Sequence, residues 1–105
     1  MYKLFRVRGR SMLPTLEDGD FVLARRLPRR AKAALRRDSI VCLRHREHGS
    51  LIKRIDQVDA ESSLASVVSD GQTGTGSDTL GDIPLAHITH VAKLVIGRRR
   101  GLRRL

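Results

Sequence analysis

Alternating apolar and polar residues divide the chain into short segments that are typical of β-strands. Between positions 3 and 8, Phe5 and Val7 fall on one face and Arg6 and Arg8 on the other, because side chains alternate along a strand. Apolar runs that end at turn residues predict further strands over 21–24, 39–44, 51–58, 64–68 and 88–96. The pattern therefore predicts a mainly β fold with a coiled or barrel-like antiparallel arrangement.

Two arginine-rich segments interrupt this pattern. Residues 25–37 contain seven basic residues and no acidic one, and Pro28 opens a helical turn over 31–35, so we expect an exposed excursion. Residues 98–105 are read as a basic, poorly ordered tail. A chain of 105 residues is long enough for one core but not for two, which predicts a single domain over 1–97 followed by that tail.

Charge and composition restrict the partners. The formal net charge of +10 predicts attraction to polyanions, but Tyr2, Phe5 and Phe21 are the only aromatic residues. Arginine clusters without aromatic stacking residues predict only weak, sequence-independent binding to nucleic acid or to an anionic membrane. No apolar run is long enough to span a bilayer, so no transmembrane segment is expected.

The cysteine and histidine content limits which cellular compartment and which metal chemistry we expect. Cys42 is the only cysteine, which excludes an intrachain disulfide and favours a reducing cytoplasm. The histidine pairs, 45 with 48 and 87 with 90, lack carboxylate or thiolate partners at ligand spacing, so neither a metal site nor a cofactor is predicted. Cys42 and His45 fall on opposite strand faces, which argues against a thiol nucleophile.

A serine and a lysine are the candidates for catalysis. Ser11 follows a predicted strand at a sharp turn, where its hydroxyl is exposed, and a serine needs an adjacent base to act as a nucleophile. Lys53 shares a strand face with Leu51 and Ile55, and burial among apolar side chains would lower its pKa toward neutrality. The alternative is an ordinary strand lysine whose amine reaches water.

The motifs around both residues resemble those of the Ser/Lys peptidases, the group that includes type I signal peptidases and self-cleaving LexA-type repressors. The matching residues are Ser11-Met12-x-Pro14-Thr15-Leu16, Asp18-Gly19-Asp20, Asp38-Ser39-Ile40-Val41 and Ile52-Lys53-Arg54. The short chain and the segment Cys42-Leu43-Arg44-His45 look most like the nickel-type superoxide dismutase maturation proteases.

The resemblance implies both a fold and a set of roles. The fold would be that of the signal peptidase and LexA C-terminal domains, and the activity a serine endopeptidase that removes a short N-terminal segment from a precursor protein. The Ser11 N–H would stabilise the oxyanion, with Gly9 and Met12 at the substrate pocket. The family's later Gly-Asp-Asn box corresponds to Ser69-Asp70-Gly71, then Ser77-Asp78-Thr79 and Gly81, with about one residue missing. Ser77 or Thr75 would orient Lys53, and Asp78 would brace this loop.

Two other readings of the same residues stay open. One is a signal-peptidase-like protease that acts at a membrane surface. The other is an inactive LexA-like module that binds nucleic acid non-specifically. A self-cleaving repressor would need a DNA-binding domain ahead of the serine, and only ten residues precede Ser11.

Overall fold

A computed structural model describes residues 1–71 and 80–105. Within these ranges the protein is mainly β, which confirms the predicted class. The strands are β1 (Tyr2–Arg6), β2 (Phe21–Arg26), β3 (Ile40–His45), β4 (Gly49–Asp59), β5 (Leu64–Val68), β6 (Ile83–Pro84), β7 (Ile88–Gly97) and β8 (Gly101–Arg104). They form one antiparallel sheet of eight strands that does not close into a barrel.

The long strand β7 pairs with three neighbours, β2, β3 and β8. The strand order is β1-β2-β7-β3-β4-β5-β6, and β8 also pairs with β7. β3 and β4 form a hairpin whose register sets Val41 opposite Lys53. Because the register of a strand pair decides which side chains share a face, this pairing turns Lys53 toward the same side as Val41, which is fully buried.

Two hydrophobic clusters make up the core. The first contains Val7, Met12, Leu16, Val22, Ala24, Ile40, Cys42, Ala92 and Val95. The second contains Val41, Leu43, Ile55, Ala65, Val67, Ile83, Leu85 and Ile88. Met12 and Leu16 belong to the first cluster although they lie outside the strands, so the segment that carries Ser11 is anchored by core packing.

The two arginine-rich segments differ in structure. Arg29–Ala34 is a 3₁₀ turn without a buried residue, as expected of an exposed excursion. Residues 98–105 were expected to be poorly ordered, but residues 101–104 form β8, with Leu102 opposite Ile96 and Arg104 opposite Leu94. The high arginine content made this strand look like a solvated tail in the sequence. Its charged side chains are matched by residues that are distant in the sequence, and a local pattern does not show those contacts.

One side of β1, β2, β7 and β8 is an exposed apolar surface, which we call the outer face. Its cross-strand rows are Leu4-Leu23-Leu94-Arg104 and Arg6-Phe21-Ile96-Leu102, with Tyr2 opposite Arg25 beyond them. The four strands contain no Asp or Glu and seven Lys or Arg residues (Lys3, Arg6, Arg25, Arg26, Lys93, Arg103 and Arg104). Apolar side chains therefore fill the middle of the outer face, and of these basic residues Arg6, Arg25 and Arg104 lie at its margins.

Candidate active site

Residues 9–20, which we call the nucleophile loop, leave β1 and return to β2. Backbone hydrogen bonds close its base: Val7 N–H donates to the Asp20 carbonyl (2.8 Å) and Gly19 N–H to the Val7 carbonyl (2.9 Å). Gly9 has a φ of +80°, which glycine adopts without steric cost, so the chain turns sharply just before Ser11. Ser11 is half-buried.

Asp20 holds the base of this loop from inside the protein. Its carboxylate is 2% exposed and accepts the N–H groups of Glu17 (2.9 Å) and Arg98 (3.0 Å). Burial alone would raise the pKa of Asp20, but these backbone hydrogen bonds, together with the positive charges of Arg103 and Arg100, outweigh it and lower the pKa. The sequence pattern identified Asp20 only as part of a turn. Its partner at Arg98, 78 positions away, gives no local signal.

Lys53 lies on β4 with its side chain in the core. It is 2% exposed, and its neighbour Ile55 on the same face is fully buried, as the alternation predicted. Burial lowers the pKa of Lys53, because an ammonium loses its hydration in apolar surroundings. Nζ donates a hydrogen bond to Ser69 Oγ (2.8 Å). A neutral amine can make this bond and keep its lone pair for accepting a proton.

Residues 69–71, which we call the bridging segment, contact both the lysine and the nucleophile loop. Ser69 accepts the hydrogen bond from Lys53 Nζ, and two residues later Gly71 N–H donates to the Ser11 carbonyl (2.7 Å). Between them, Asp70 Oδ2 accepts from the Thr15 hydroxyl (2.6 Å). The Ser11 region and Lys53 are therefore both attached to one short piece of backbone.

Asp70 also connects this piece to β4 through Arg54, the residue after Lys53. The Arg54 guanidinium donates from Nε to Oδ1 (2.7 Å) and from Nη2 to Oδ2 (2.6 Å), a bidentate geometry that resists rotation of either group. The hydrogen bond from Arg54 holds the pKa of Asp70 below its usual value, against the opposite effect of burial. Both side chains are largely shielded from solvent, so we expect this pair to contribute more than a surface ion pair.

A cleft of about 190 Å³ opens beside Ser11. One wall consists of Arg6, Val7 and Arg8 and the other of Ser50, Leu51 and Ile52, with Ser11 and Met12 between them. Within the described ranges, neither the hydroxyl nor the N–H of Ser11 has a hydrogen-bond partner. The N–H of Gly9 donates to Asp18 Oδ1 (2.8 Å), so Gly9 contributes its turn conformation rather than a hydrogen-bond donor. Met12 lines the cleft and is also a core residue.

The supporting loop that the sequence predicted extends beyond the described residues. Ser77, Asp78 and Thr75 lie outside the described residues, and their predicted role stays a prediction. Among the described residues, Ser69 supplies a hydroxyl that contacts Lys53. Which hydroxyl reaches Lys53 depends on the path of the backbone, which residue types alone do not reveal.

The remaining candidate groups have structural roles. Cys42 is buried, and desolvation raises the pKa of its thiol to about 12, so it is a poor nucleophile. His45 Nδ1 accepts the N–H groups of Glu47 (3.1 Å) and His48 (3.3 Å), which stabilises the turn between β3 and β4. Residues 1–71 and 80–105 contain no group of three or more His, Cys, Asp or Glu that could hold a metal ion.

Comparison with protein-family models gives one match, to the family described as "Signal peptidase, peptidase S26", over residues 1–59. This region contains both Ser11 and Lys53. A comparison with curated proteins and one with solved structures gave no match. In the part of the chain that the structure describes, no helix has the length and hydrophobicity needed to cross a membrane.

Proposed function

The chain belongs to the signal peptidase family, peptidase S26, and on this premise we propose that it is a serine endopeptidase in which Ser11 is the nucleophile and Lys53 the general base. Membership of the family supports a serine peptidase that acts on a protein substrate. The assignment of the two residues rests on their chemistry and on their surroundings.

The observation that carries this proposal is the double contact of the bridging segment. Ser69 binds Lys53 Nζ at 2.8 Å, and Gly71 N–H binds the Ser11 carbonyl at 2.7 Å. A core lysine that served packing alone would not need a link to a half-buried serine turn through two hydrogen bonds of one short segment. The lowered pKa of Lys53 adds the protonation state that a base requires.

The reaction would proceed by acyl transfer. Neutral Lys53 accepts the proton of the Ser11 hydroxyl as its oxygen attacks the scissile carbonyl, and the ammonium then protonates the leaving amine. Water hydrolyses the acyl-enzyme with Lys53 again as base. The Ser11 N–H, which has no acceptor in the described part of the chain, is the candidate oxyanion donor. The hydrogen bond to Ser69 keeps the amine oriented while it gains and loses its proton.

For the substrate, we propose a precursor protein that loses a short N-terminal segment in the cytoplasm. The resemblance of the segment around Cys42 to nickel-type superoxide dismutase maturation proteases makes the nickel superoxide dismutase precursor the first candidate. The lone, buried Cys42 is compatible with a reducing compartment. No cofactor is needed, because the amine and the hydroxyl supply the base and the nucleophile.

The test is cleavage of this precursor, with the new N-terminus read by mass spectrometry. Ser11→Ala and Lys53→Ala should each reduce cleavage by about 10³-fold or more, and the double variant should lose little further activity because the two residues act as a unit. Lys53→Arg should also be inactive, since a guanidinium stays protonated.

Cys42→Ala is the matched control and should retain activity with an unchanged circular dichroism spectrum. If Lys53→Arg cleaves at the wild-type rate, Lys53 is not the base. If the wild-type protein cleaves neither this precursor nor any member of a diverse peptide library, the endopeptidase proposal itself is wrong.

A further inference from the structure

The cleft beside Ser11 is basic on one side. Arg6 and Arg8 line it from the end of β1, and both are exposed, whereas Val7 between them is 4% exposed and packs in the core. The alternation that buries Val7 therefore holds the two arginines on the solvent side of the same wall. No acidic residue lines the cleft among the described residues.

Neither of these arginines has a carboxylate partner, in contrast to several arginines that contact the nucleophile loop or the bridging segment. Within residues 1–71 and 80–105, Arg54 pairs with Asp70, and Arg99 and Arg100 pair with Glu17, but neither Arg6 nor Arg8 has an ion pair. Of the nearby acidic groups, Asp18 accepts the Gly9 N–H, and Glu17 is occupied by the C-terminal arginines. The loop's own acidic side chains therefore leave the charge of Arg6 and Arg8 uncompensated.

A further positive charge lies beside the part of the cleft that β4 lines. Ser50, which lines the cleft, lies directly opposite Arg44 in the β3–β4 hairpin, so the two side chains share a face. Arg44 is exposed. A peptide lying in this cleft would therefore contact Arg6 and Arg8, and Arg44 would add to the positive potential beside Ser50. The cleft lining contains no aromatic side chain on which a nucleic-acid base could stack.

We propose that the cleft selects acidic peptides, in which an Asp or Glu side chain lies within a few residues of the scissile bond. This inference rests on the proposed function and names its substrate class. Guanidinium groups bind carboxylates through paired, charge-assisted hydrogen bonds, and unpaired arginines are free to form them. The positive potential would also increase the rate of association with acidic substrates.

The test uses pairs of internally quenched peptides that span the junction between the N-terminal segment and the mature part of the candidate precursor. The members of a pair differ only by Glu or Gln at one position flanking the scissile bond. We expect kcat/KM to be higher for the Glu member by about fivefold, the upper range for an exposed ion pair. The difference should shrink in 0.5 M NaCl, because salt screens exposed charges.

Variants at Arg8 test the assignment directly. Arg8→Gln should reduce the preference, and Arg8→Glu should shift it toward peptides with Lys at the same position. Arg30→Gln is the matched control: Arg30 is exposed on the 3₁₀ turn beyond the opposite end of β2 and should leave the preference unchanged. Arg6→Gln tests the second arginine in the same way.

Binding separates this inference from the proposed function. Fluorescence anisotropy with the Ser11→Ala protein measures affinity for the labelled Glu and Gln peptides without cleavage. Equal affinities and equal kcat/KM values would overturn the acidic preference and leave the Ser11/Lys53 assignment intact. If the protein binds Glu peptides more tightly than Gln peptides but cleaves neither, the acidic preference of the cleft is supported and the endopeptidase proposal is contradicted.

Discussion

Lys53 and Asp20 are the two charged residues that are buried in the described part of the chain. The protein offsets the cost of burying them in opposite ways. Asp20 stays ionised because two backbone N–H groups hydrogen-bond its carboxylate. The surroundings of Lys53 provide no carboxylate partner among the described residues, and burial favours its neutral form. A buried aspartate therefore serves structure here, while the buried lysine carries an amine that can accept a proton.

The lowered pKa of Lys53 has a consequence for stability. Between the folded-state pKa and the unfolded-state value of 10.5, the unfolded chain binds more protons, so the free energy of unfolding should rise with pH in that interval. Below the folded-state pKa the full cost of charging a buried amine is present. Lys53→Met should remove this dependence, raise stability near neutral pH and lower cleavage by about 10³-fold or more.

Urea unfolding of both proteins at a series of pH values measures the effect. The wild-type midpoint should rise with pH relative to that of Lys53→Met, and NMR titration of the Lys53 side chain should show a pKa below 10.5. Parallel pH profiles for the two proteins would show that the amine titrates as in the unfolded chain, which would remove the base from the mechanism.

At the scale of elements, the bridging segment sets the distance between β4 and the nucleophile loop. It approaches the loop so closely that a side chain at Gly71 has no room: a Cβ there would lie 2.5 Å from the Arg10 carbonyl oxygen and 3.1 Å from that of Ser11. Both obstacles are backbone atoms. The close approach therefore depends on glycine, independently of any special backbone dihedral angle.

Gly71→Ala should displace the nucleophile loop from Lys53. Because small displacements of reacting groups cost up to about 10²-fold in rate, we expect kcat to fall between about 10-fold and 10²-fold while the fold persists. Cleavage kinetics on one substrate measure this loss. Gly101→Asn is the control, since a side chain at Gly101 meets no atom within 4 Å and asparagine tolerates its positive φ. Wild-type kcat in Gly71→Ala would show that this approach is unimportant.

An element could be predicted from the sequence where neighbouring residues determine it, and could not where residues distant in the sequence determine it. Alternation along residues 3–8 and 51–55 put Val7 and Lys53 on apolar strand faces and Ser11 just after a strand, and both of these side chains are buried. The contact between Ser69 and Lys53 depends on the pairing of β4 with β5, whose register shifts between Ile55 and Gln57. Such an irregularity changes which hydroxyl faces the lysine, and an alternating pattern does not reveal it.

β8 was not predicted because its stabilising contacts are also distant in the sequence. An arginine-rich segment reads as solvated because each charge appears to need water. In the structure the Arg103 guanidinium donates to the Thr15 carbonyl (3.1 Å) and lies 3.8 Å from Asp20, and Arg100 donates to the Pro14 carbonyl (2.9 Å). The C-terminal strand thus reaches the nucleophile loop, more than 80 positions away in sequence. Such long-range matching of charges is invisible to a window of neighbouring residues.

At the scale of the whole molecule, the charge is unevenly distributed. The net charge is +10, yet acidic residues are absent from β1, β2, β7 and β8. The outer face on these strands exposes five large apolar side chains: Tyr2, Leu4, Phe21, Ile96 and Leu102 are between 42% and 68% exposed. Each of its margins carries an arginine, so two copies that approach through this face bring like charges together.

This distribution of charge and apolar surface should make self-association depend on the salt concentration. In dilute buffer the arginines should keep the protein monomeric, whereas about 1 M NaCl shortens the screening length from about 30 Å at 0.01 M to about 3 Å and removes the repulsion. The apolar centre should then drive reversible association. Sedimentation velocity at both salt concentrations measures it, and a monomer under both conditions would contradict the prediction.

Leu102→Ser should weaken this association, because it removes the most exposed apolar side chain of a paired strand from the outer face. Val68→Ser, at an exposed valine of β5 outside that face, is the control and should associate like the wild type. The arginine margins would then act as electrostatic gatekeepers, and preparations of this protein should stay dispersed longest at low ionic strength, the opposite of the usual salting-in of a basic protein.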